Sequence, residues 1–593
     1  MRALLRFGYP VVLTLAACWL ISGVEGHPKR GVDDAQIFFS YSSNLAAGRG
    51  LVYANNPERV EGVTSLLWTF ICAIPFRLGF DESGVLAISV LLLCLTQLLI
   101  IEITRKAAAA RQVRSWPFEL AYLLAVFSSP AYLTWTTVTL MDTCLWGFLV
   151  VLMIFVALSP PRSRIGIALA SIPFFLAPLS RPEAALAAPA IIGLAWLSVG
   201  DRREDRRRLV LGPALAFLAS AVGVTAFRLA YYGYPLPNTY YAKVPPSLTY
   251  NLGKGAEYML GFVLTSGPVT LAIALFLLWC AGDMVNRLLR RVNPEGASSS
   301  RGGVATWRLA ALCAMVLLVV PVLSGGDHFV GYRFYQPAYP VMVLAVMLFL
   351  IARLPTLVLD RLAPQRPLRP GLVSAVLLLG GIYWAYSGAH KPSCLDLQVS
   401  ERKLLQDQLI AAEDGINKGG RLRALFSELH DYPAVGVTAA GGIARTYPGR
   451  IVDLMGLNTL SIAHHRGARR GFHGHTAFEK DAFFSLPRIE LLDAAPPIPP
   501  KTKSFASVAL KGLLDDPRFF GKWRYGRLYQ CGDEEGGFEA FYYAGFVDSL
   551  EKTGQYRFHE TMTWSGRKWV IAAGEESAKV RRGDDSSPEI GGK

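Results

Sequence analysis

Two adjacent carboxylates, Asp33 and Asp34, follow the first apolar segment and open a polar loop. Charges at the mouth of such a segment are costly unless they face water or do work. As a pair they suit a general base for a hydroxyl and a second carboxylate that orients it. Capping of a short helix starting at Ala35 would account for Asp34 alone. Three cations stand among Gly, Tyr and Pro residues: Arg181 before Pro182-Glu183, Lys243 after Tyr240-Tyr241-Ala242, and Arg333 after Gly331-Tyr332. Such groups suit a phosphate, although each taken singly also suits an interfacial cation, with Arg181 paired to Glu183. Asp142, Asn238, Tyr240, Asp327 and His328 complete the polar set as candidate contacts to a substrate.

The elements that must position these residues are apolar. The chain has 593 residues, 52% of them hydrophobic, and the apolar residues come in long blocks. A crossing needs about 20 such residues. The pattern predicts eleven, near 5–24, 84–104, 117–131, 141–158, 165–179, 184–200, 209–230, 259–281, 307–324, 337–354 and 371–389. The block 63–79, punctuated by Pro75 and Arg77, reads as an interfacial helix. The net charge of +15 does not require nucleic acid. Its cations cluster in the loops 105–114, 159–164, 201–208, 282–306 and 355–369, as the positive-inside bias predicts for cytoplasmic loops. With the N-terminus inside, every candidate site residue lies on the opposite, outer face. The expected architecture is an all-α polytopic membrane domain over 1–389, with a long first outer loop at 25–83. An α/β extracytoplasmic soluble domain follows over 390–574, then a disordered tail over 575–593. A cleaved signal peptide ending near Gly26 is the alternative for the start; a retained helix would anchor Asp33 and Asp34.

Six cysteines lie in apolar blocks and read as packing residues; Cys394 and Cys531 fall in the soluble part and are candidates for one disulfide. His464-His465 and His473-Gly474-His475 lack accompanying cysteines and sit among arginines, which favours a surface loop over a metal site. No nucleotide-binding signature is present.

Several motifs resemble one family. They are Asp33-Asp34-Ala35 with Tyr41, Asn44 and Gly50-Leu51-Val52; Val60-Glu61-Gly62-Val63-Thr64-Ser65 with Trp68; Arg181-Pro182-Glu183; Pro237-Asn238-Thr239 with Ala242-Lys243; and Gly325-Gly326-Asp327 with Gly331-Tyr332-Arg333. Val452-Asp453-Leu454-Met455-Gly456-Leu457-Asn458 continues the likeness in the soluble part. Together these resemble the terminal arabinofuranosyltransferases of actinobacterial cell-wall arabinan, in the GT-C superfamily. The resemblance implies an inverting glycosyltransferase of the plasma membrane, taking a sugar, a pentofuranose such as arabinofuranose, from a polyprenyl-phosphate donor to a cell-envelope glycan or glycolipid acceptor at the outer face. It implies catalysis by Asp33 and Asp34, and donor-phosphate binding by Arg181, Lys243 and Arg333. Asp142, where a glutamate is expected, and His328, where an aromatic residue is common, depart from the pattern and bear on the sugar and acceptor. A monophosphate leaving group held by cations requires no metal, with a divalent ion bridging Asp33 and the phosphate as the alternative. The rival readings are a multispan transporter, whose polar groups would sit near the bilayer midplane, and an envelope assembly factor without glycosyl transfer.

Overall fold

The computed structural model describes residues 2–24, 30–159, 163–198, 203–245, 247–266, 268–292, 306–353, 396–465, 467, 474, 476–496, 508–565 and 568–572. The chain divides into two compact units. The first comprises 1–51, 63–237 and 244–413; the second comprises 52–62, 238–243 and 414–593.

The first unit is helical. In chain order it holds α1 (Arg2–Val24), α2 (Asp33–Ala46), α3 (Leu66–Arg77), α4 (Glu82–Ala110), α5 (Trp116–Phe127), α6 (Pro130–Thr136), α7 (Thr143–Leu158), α8 (Arg164–Ser180), α9 (Ala184–Ser198) and α10 (Arg203–Tyr232). After α11 (Asn238–Lys243), which folds with the second unit, come α12 (Leu248–Thr265), α13 (Pro268–Val292), α14 (Thr306–Ser324) and α15 (Tyr339–Arg353). Within the unit α8 packs along α10, α4 along α7, α14 along α15, and α2 along α3. Helix α7 (TCLWGFLVVLMIFVAL) carries no charge and is buried on nearly every face, as an all-round apolar helix at the centre of a bundle must be.

Among the described residues three helical stretches, Glu82–Ala110, Val210–Tyr232 and Thr306–Ser324, are long and apolar enough to cross a membrane, and eight shorter apolar helices of 10–17 residues accompany them. Three such stretches stand against the eleven crossings expected, and two of the expected blocks are not single helices. The block 117–131 is not one helix: α5 ends at Phe127, and Ser129 caps a separate α6, its Oγ accepting from Tyr132 N at 3.3 Å. The block 259–281 is divided between α12 and α13 at Ser266 to Pro268. Both breaks fall at Pro, which lacks the N–H a continuing helix needs and disfavours helical backbone before it. The segment 371–389 lies outside the described residues. Arg105, expected as a loop cation, sits instead on α4 in a largely buried pair with Glu119 at 2.8 Å.

The second unit is α/β. The last part of α16 (Asp396–Leu425) runs beside one mixed sheet with strand order β2-β1-β3-β5-β4-β6-β7. β1 (Val435–Val437) pairs in parallel with β2 (Ile451–Asp453) and β3 (Leu491–Asp493). β4 (Trp523–Gln530), β5 (Asp533–Tyr543), β6 (Tyr556–Ser565) and β7 (Lys568–Ile571) extend it antiparallel. β1 and β2 are buried throughout, Asp453 at the end of β2 included, and β3 is buried up to Asp493, as expected of strands covered on both faces; β5 starts exposed at Asp533–Glu535 and is buried toward its end apart from Glu539. Cys531 is exposed, with its Sγ donating to Gly554 O at 3.3 Å, and Cys394 lies outside the described residues.

Candidate active site

Asp33 and Asp34 form the first turn of α2. The capping residue is Val32, whose backbone is extended, so Asp34 does not act as the N-cap. The helix N-terminus nevertheless favours both carboxylates through its partial positive charge. The turn before them is tied to a second one. Gly31 has φ +69°, and a Cβ there would stand 2.7 Å from Thr139 O, while Val32 N donates to that same oxygen at 3.3 Å. On the facing turn Leu140 is also left-handed, at φ 56°, and Trp68 Nε1 donates to its carbonyl at 3.2 Å. Trp68 is itself set by Ser65, the N-cap of α3, whose Oγ accepts from Trp68 N at 3.1 Å.

Asp142 leaves that turn at the head of α7 and is fully buried. Its carboxylate does not cap the helix; Arg181, where α8 ends, donates to its two oxygens at 3.0 and 3.1 Å. The same guanidinium holds Glu183 through Nε at 3.0 Å and a terminal nitrogen at 2.7 Å. Burial pushes Glu183 up, and Arg181 more than offsets this, holding the carboxyl below its usual range. Arg181 is thus clamped between two carboxylates.

Arg333 comes from the loop between α14 and α15, directly after Tyr332 in the left-handed region (φ 50°). Left-handed backbone at a residue carrying a side chain stores strain that its surroundings must hold. Here Thr265 Oγ1 donates to Tyr332 OH at 3.1 Å, and Phe334 N donates to Tyr258 OH at 3.3 Å. The glycines of the loop are required by close approach: a Cβ on Gly326 would meet Tyr258 at 2.6 Å, and one on Gly331 would meet Trp135 Nε1 at 2.8 Å. Arg333 reaches Asp34 Oδ2 at 3.3 Å. Its Nε makes an ion-pair contact with Asp327 Oδ2 that is not aligned as a hydrogen bond. His328 lies beside Asp327, Nδ1 to Oδ1 at 3.3 Å. Aromatic faces surround the guanidinium, with Phe329 at 4.4 Å and Phe334 at 5.2 Å; Phe334 also lies 5.0 Å from Arg181.

The structure therefore brings together Asp34, Asp142, Arg181, Asp327, His328 and Arg333, with Asp33 beside them on α2. Glu183 joins them as a direct partner of Arg181, the pairing that the alternative reading of Arg181 expected. A cavity of about 20 Å³, room for one water, opens between Arg181, Glu183, Arg333 and Phe334. Asn238, Tyr240 and Lys243 belong to the second unit. Asn238 Nδ2 donates to Gly456 O and Leu457 O at 2.8 and 2.9 Å, so its oxygen is left to accept from His464 Nε2 at 3.2 Å, which places the imidazole proton on that nitrogen. The carbonyls belong to a buried loop folded around Asp453, whose carboxylate accepts from Met455 N, Asn458 N and Asn458 Nδ2 at 2.9 to 3.0 Å. Asn238 thus has a structural role, while Tyr240 is exposed and Lys243 half-buried at the end of α11. Among the described residues no group of His, Cys, Asp and Glu could hold a metal; His473 and His475 lie outside them.

A cluster of carboxylates and guanidiniums set among apolar helices is accompanied by likenesses to transferases of sugars. The terminal beta-(1->2)-arabinofuranosyltransferase of Corynebacterium glutamicum is 27% identical over 384 residues, covering 60% of this chain and 53% of that protein. The match thus spans about half the length of that relative. Among solved structures the chain is similar to ArnT from Cupriavidus metallidurans bound to undecaprenyl phosphate, with a TM-score of 0.46 and 13% identity over 76% of this chain and 87% of that one. It is also similar to the Archaeoglobus fulgidus oligosaccharyltransferase in the apo form, with a TM-score of 0.44 and 11% identity over 90% and 74%. No family model matches the sequence.

Proposed function

We propose that the chain is an integral-membrane, inverting glycosyltransferase that moves a sugar, a pentofuranose such as arabinofuranose, from a polyprenyl-phosphate donor to a cell-envelope glycan. The observation that carries this reading is the ion pair joining Asp34, in the first turn of α2, to Arg333: it puts a carboxylate, with Asp33 next to it in the chain, beside a guanidinium able to hold a phosphate. The name of the Corynebacterium relative supports the choice of sugar. In the proposed step Asp33 takes the proton of an acceptor hydroxyl. The acceptor oxygen forms its bond to the anomeric carbon as the bond to phosphate breaks. The polyprenyl phosphate leaves with both electrons of that bond, and Arg333 holds its charge. One well-placed donor to a developing anion contributes about 3 kcal/mol. The residues assigned to the step need no metal. The plasma membrane is the proposed location, with the site and the second unit outside.

The test is transfer by purified protein from a synthetic polyprenyl-phosphate pentose to an oligosaccharide. Asp33→Asn is expected to lose about 100-fold in rate while still binding the donor. Arg333→Ala is expected to weaken donor binding as well, because charge-assisted bonds to phosphate exist before the reaction starts. A chelator should leave the rate unchanged. Full activity in an Asp33, Asp34 double variant would leave the pair as structure only.

A further inference from the structure

The two guanidiniums of the site already have acidic partners, which a phosphate-binding role must overcome. Their partners differ. Arg181 is held by four contacts of 2.7 to 3.1 Å from Glu183 and from Asp142, whose side chain is wholly buried. Arg333 is held on one side by Asp327, whose side chain is only 4% exposed. On its other side stands Asp34, at the longer distance of 3.3 Å and with its side chain 19% exposed. Of these partners Asp34 makes the longest contact to its guanidinium and is the most accessible.

We propose that Asp34 occupies the anion position of Arg333 until the donor arrives, so that the donor phosphate binds by displacing a carboxylate. The inference rests on the proposed donor. Three features suit Asp34 to such an exchange. After release its charge stays at the N-terminus of α2, where the helix end favours it. Arg333 does not collapse when Asp34 leaves, because Asp327 and the rings of Phe329 and Phe334 keep the guanidinium in place. The exchange also withdraws the Arg333 contact from a carboxylate one residue from Asp33, where a less neutralised negative charge makes a carboxylate a stronger base. Donor binding would then prepare the base, and donor would precede acceptor in the reaction order.

The experiment measures binding of polyprenyl monophosphate, carrying no sugar, to the full chain in lipid nanodiscs. Asn at position 34 keeps the size of the side chain and removes its charge, so Asp34→Asn is expected to tighten binding about fivefold or more, the equivalent of roughly 1 kcal/mol. Equal affinity in wild type and variant, or weaker binding in the variant, overturns the exchange while leaving the donor reading standing. Absence of binding in both removes the donor reading and the exchange with it. A parallel titration with inorganic phosphate identifies the source of the effect: tightening with both ligands assigns it to the phosphate group, and tightening with the lipid alone assigns it to the lipid-borne headgroup. Should Asp34→Asn not fold, the wild type supplies the test. Its infrared difference spectrum on adding polyprenyl phosphate must contain a carboxylate stretch shifted by loss of a guanidinium partner, and a spectrum without carboxylate change refutes the exchange.

Discussion

Replacing Arg181 with Met tests the most heavily engaged side chain of the site. Arg181 makes two contacts to Asp142 and two to Glu183, and the side chains are 7%, 0% and 15% exposed. Water cannot take over for the lost guanidinium at Asp142, and the Met side chain offers no donor. Removing one partner of a buried pair costs about 3–5 kcal/mol, most of it the penalty of the stranded charge. The upper part of that range is expected here, since two carboxylates lose the same partner. The direct assay is a double-mutant cycle of Arg181→Met and Asp142→Asn, measured by reversible denaturant titration in mixed micelles. Contacting residues couple by about 0.5–3 kcal/mol, and two contacts between side chains 7% and 0% exposed place this pair near the top of that range. An exposed pair would give less than about 1 kcal/mol. Arg181→Lys separates geometry from charge: the ammonium cannot reproduce the fork on both carboxylates, so stability should fall even though the charge remains. A single-variant cost below about 1 kcal/mol, with no coupling to Asp142, would refute the clamp.

Three further outcomes are expected elsewhere. A reporter fused after Lys593 should be active only outside the cytoplasm, and one inserted near Arg206 only inside; cytoplasmic activity of the first fusion would overturn the outer placement of the site. If Cys394 and Cys531 are bridged, mass mapping without reduction should recover them in one linked peptide pair, and finding both alkylated in the unreduced protein would end that pairing. In the second unit, Asp516 accepts from Arg518 and pairs with Lys480 at 3.0 Å; Arg518 first, then Lys480, hold its carboxyl below the usual range. Because the folded-state value is depressed, the stabilisation is complete above the unfolded value of about 3.9 and is lost as pH falls below it toward the folded value. Unfolding of the full chain should therefore depend less steeply on pH in that acid window after Asp516→Asn, and an unchanged dependence would show that the pair contributes nothing.

What the sequence made legible was chemistry tied to position in the chain. Asp33-Asp34 was readable because charge beside an apolar block has few explanations, and the loop 325–333 because Asp327, His328 and Arg333 stand there among Gly and Tyr residues, apart from the cation clusters of the predicted cytoplasmic loops. Partnership was not readable. Arg181 could serve an anion or a neighbouring acid, and only the fold decides that Asp142, 39 positions away, shares it with Glu183. The same limit applied to Asn238 and Lys243: a polar stretch between apolar blocks gives no sign of which compact unit it will join. The helix breaks at Pro130 and Pro268 were visible as prolines, but the apolar runs that end at Phe127 and Leu264 resume at Ala131 and Val269, so each block read as one. The arrangement that results has a physical consequence. A site built only of cations would attract any phosphate that reached it. Here each guanidinium is already matched by carboxylates, so an incoming anion must outbid a resident one, and an anion that is weakly charged or poorly placed gains nothing by entering. With the proposed donor, selectivity for a phosphate in one position would come from the difference between two partners of Arg333, not from the number of positive charges around it.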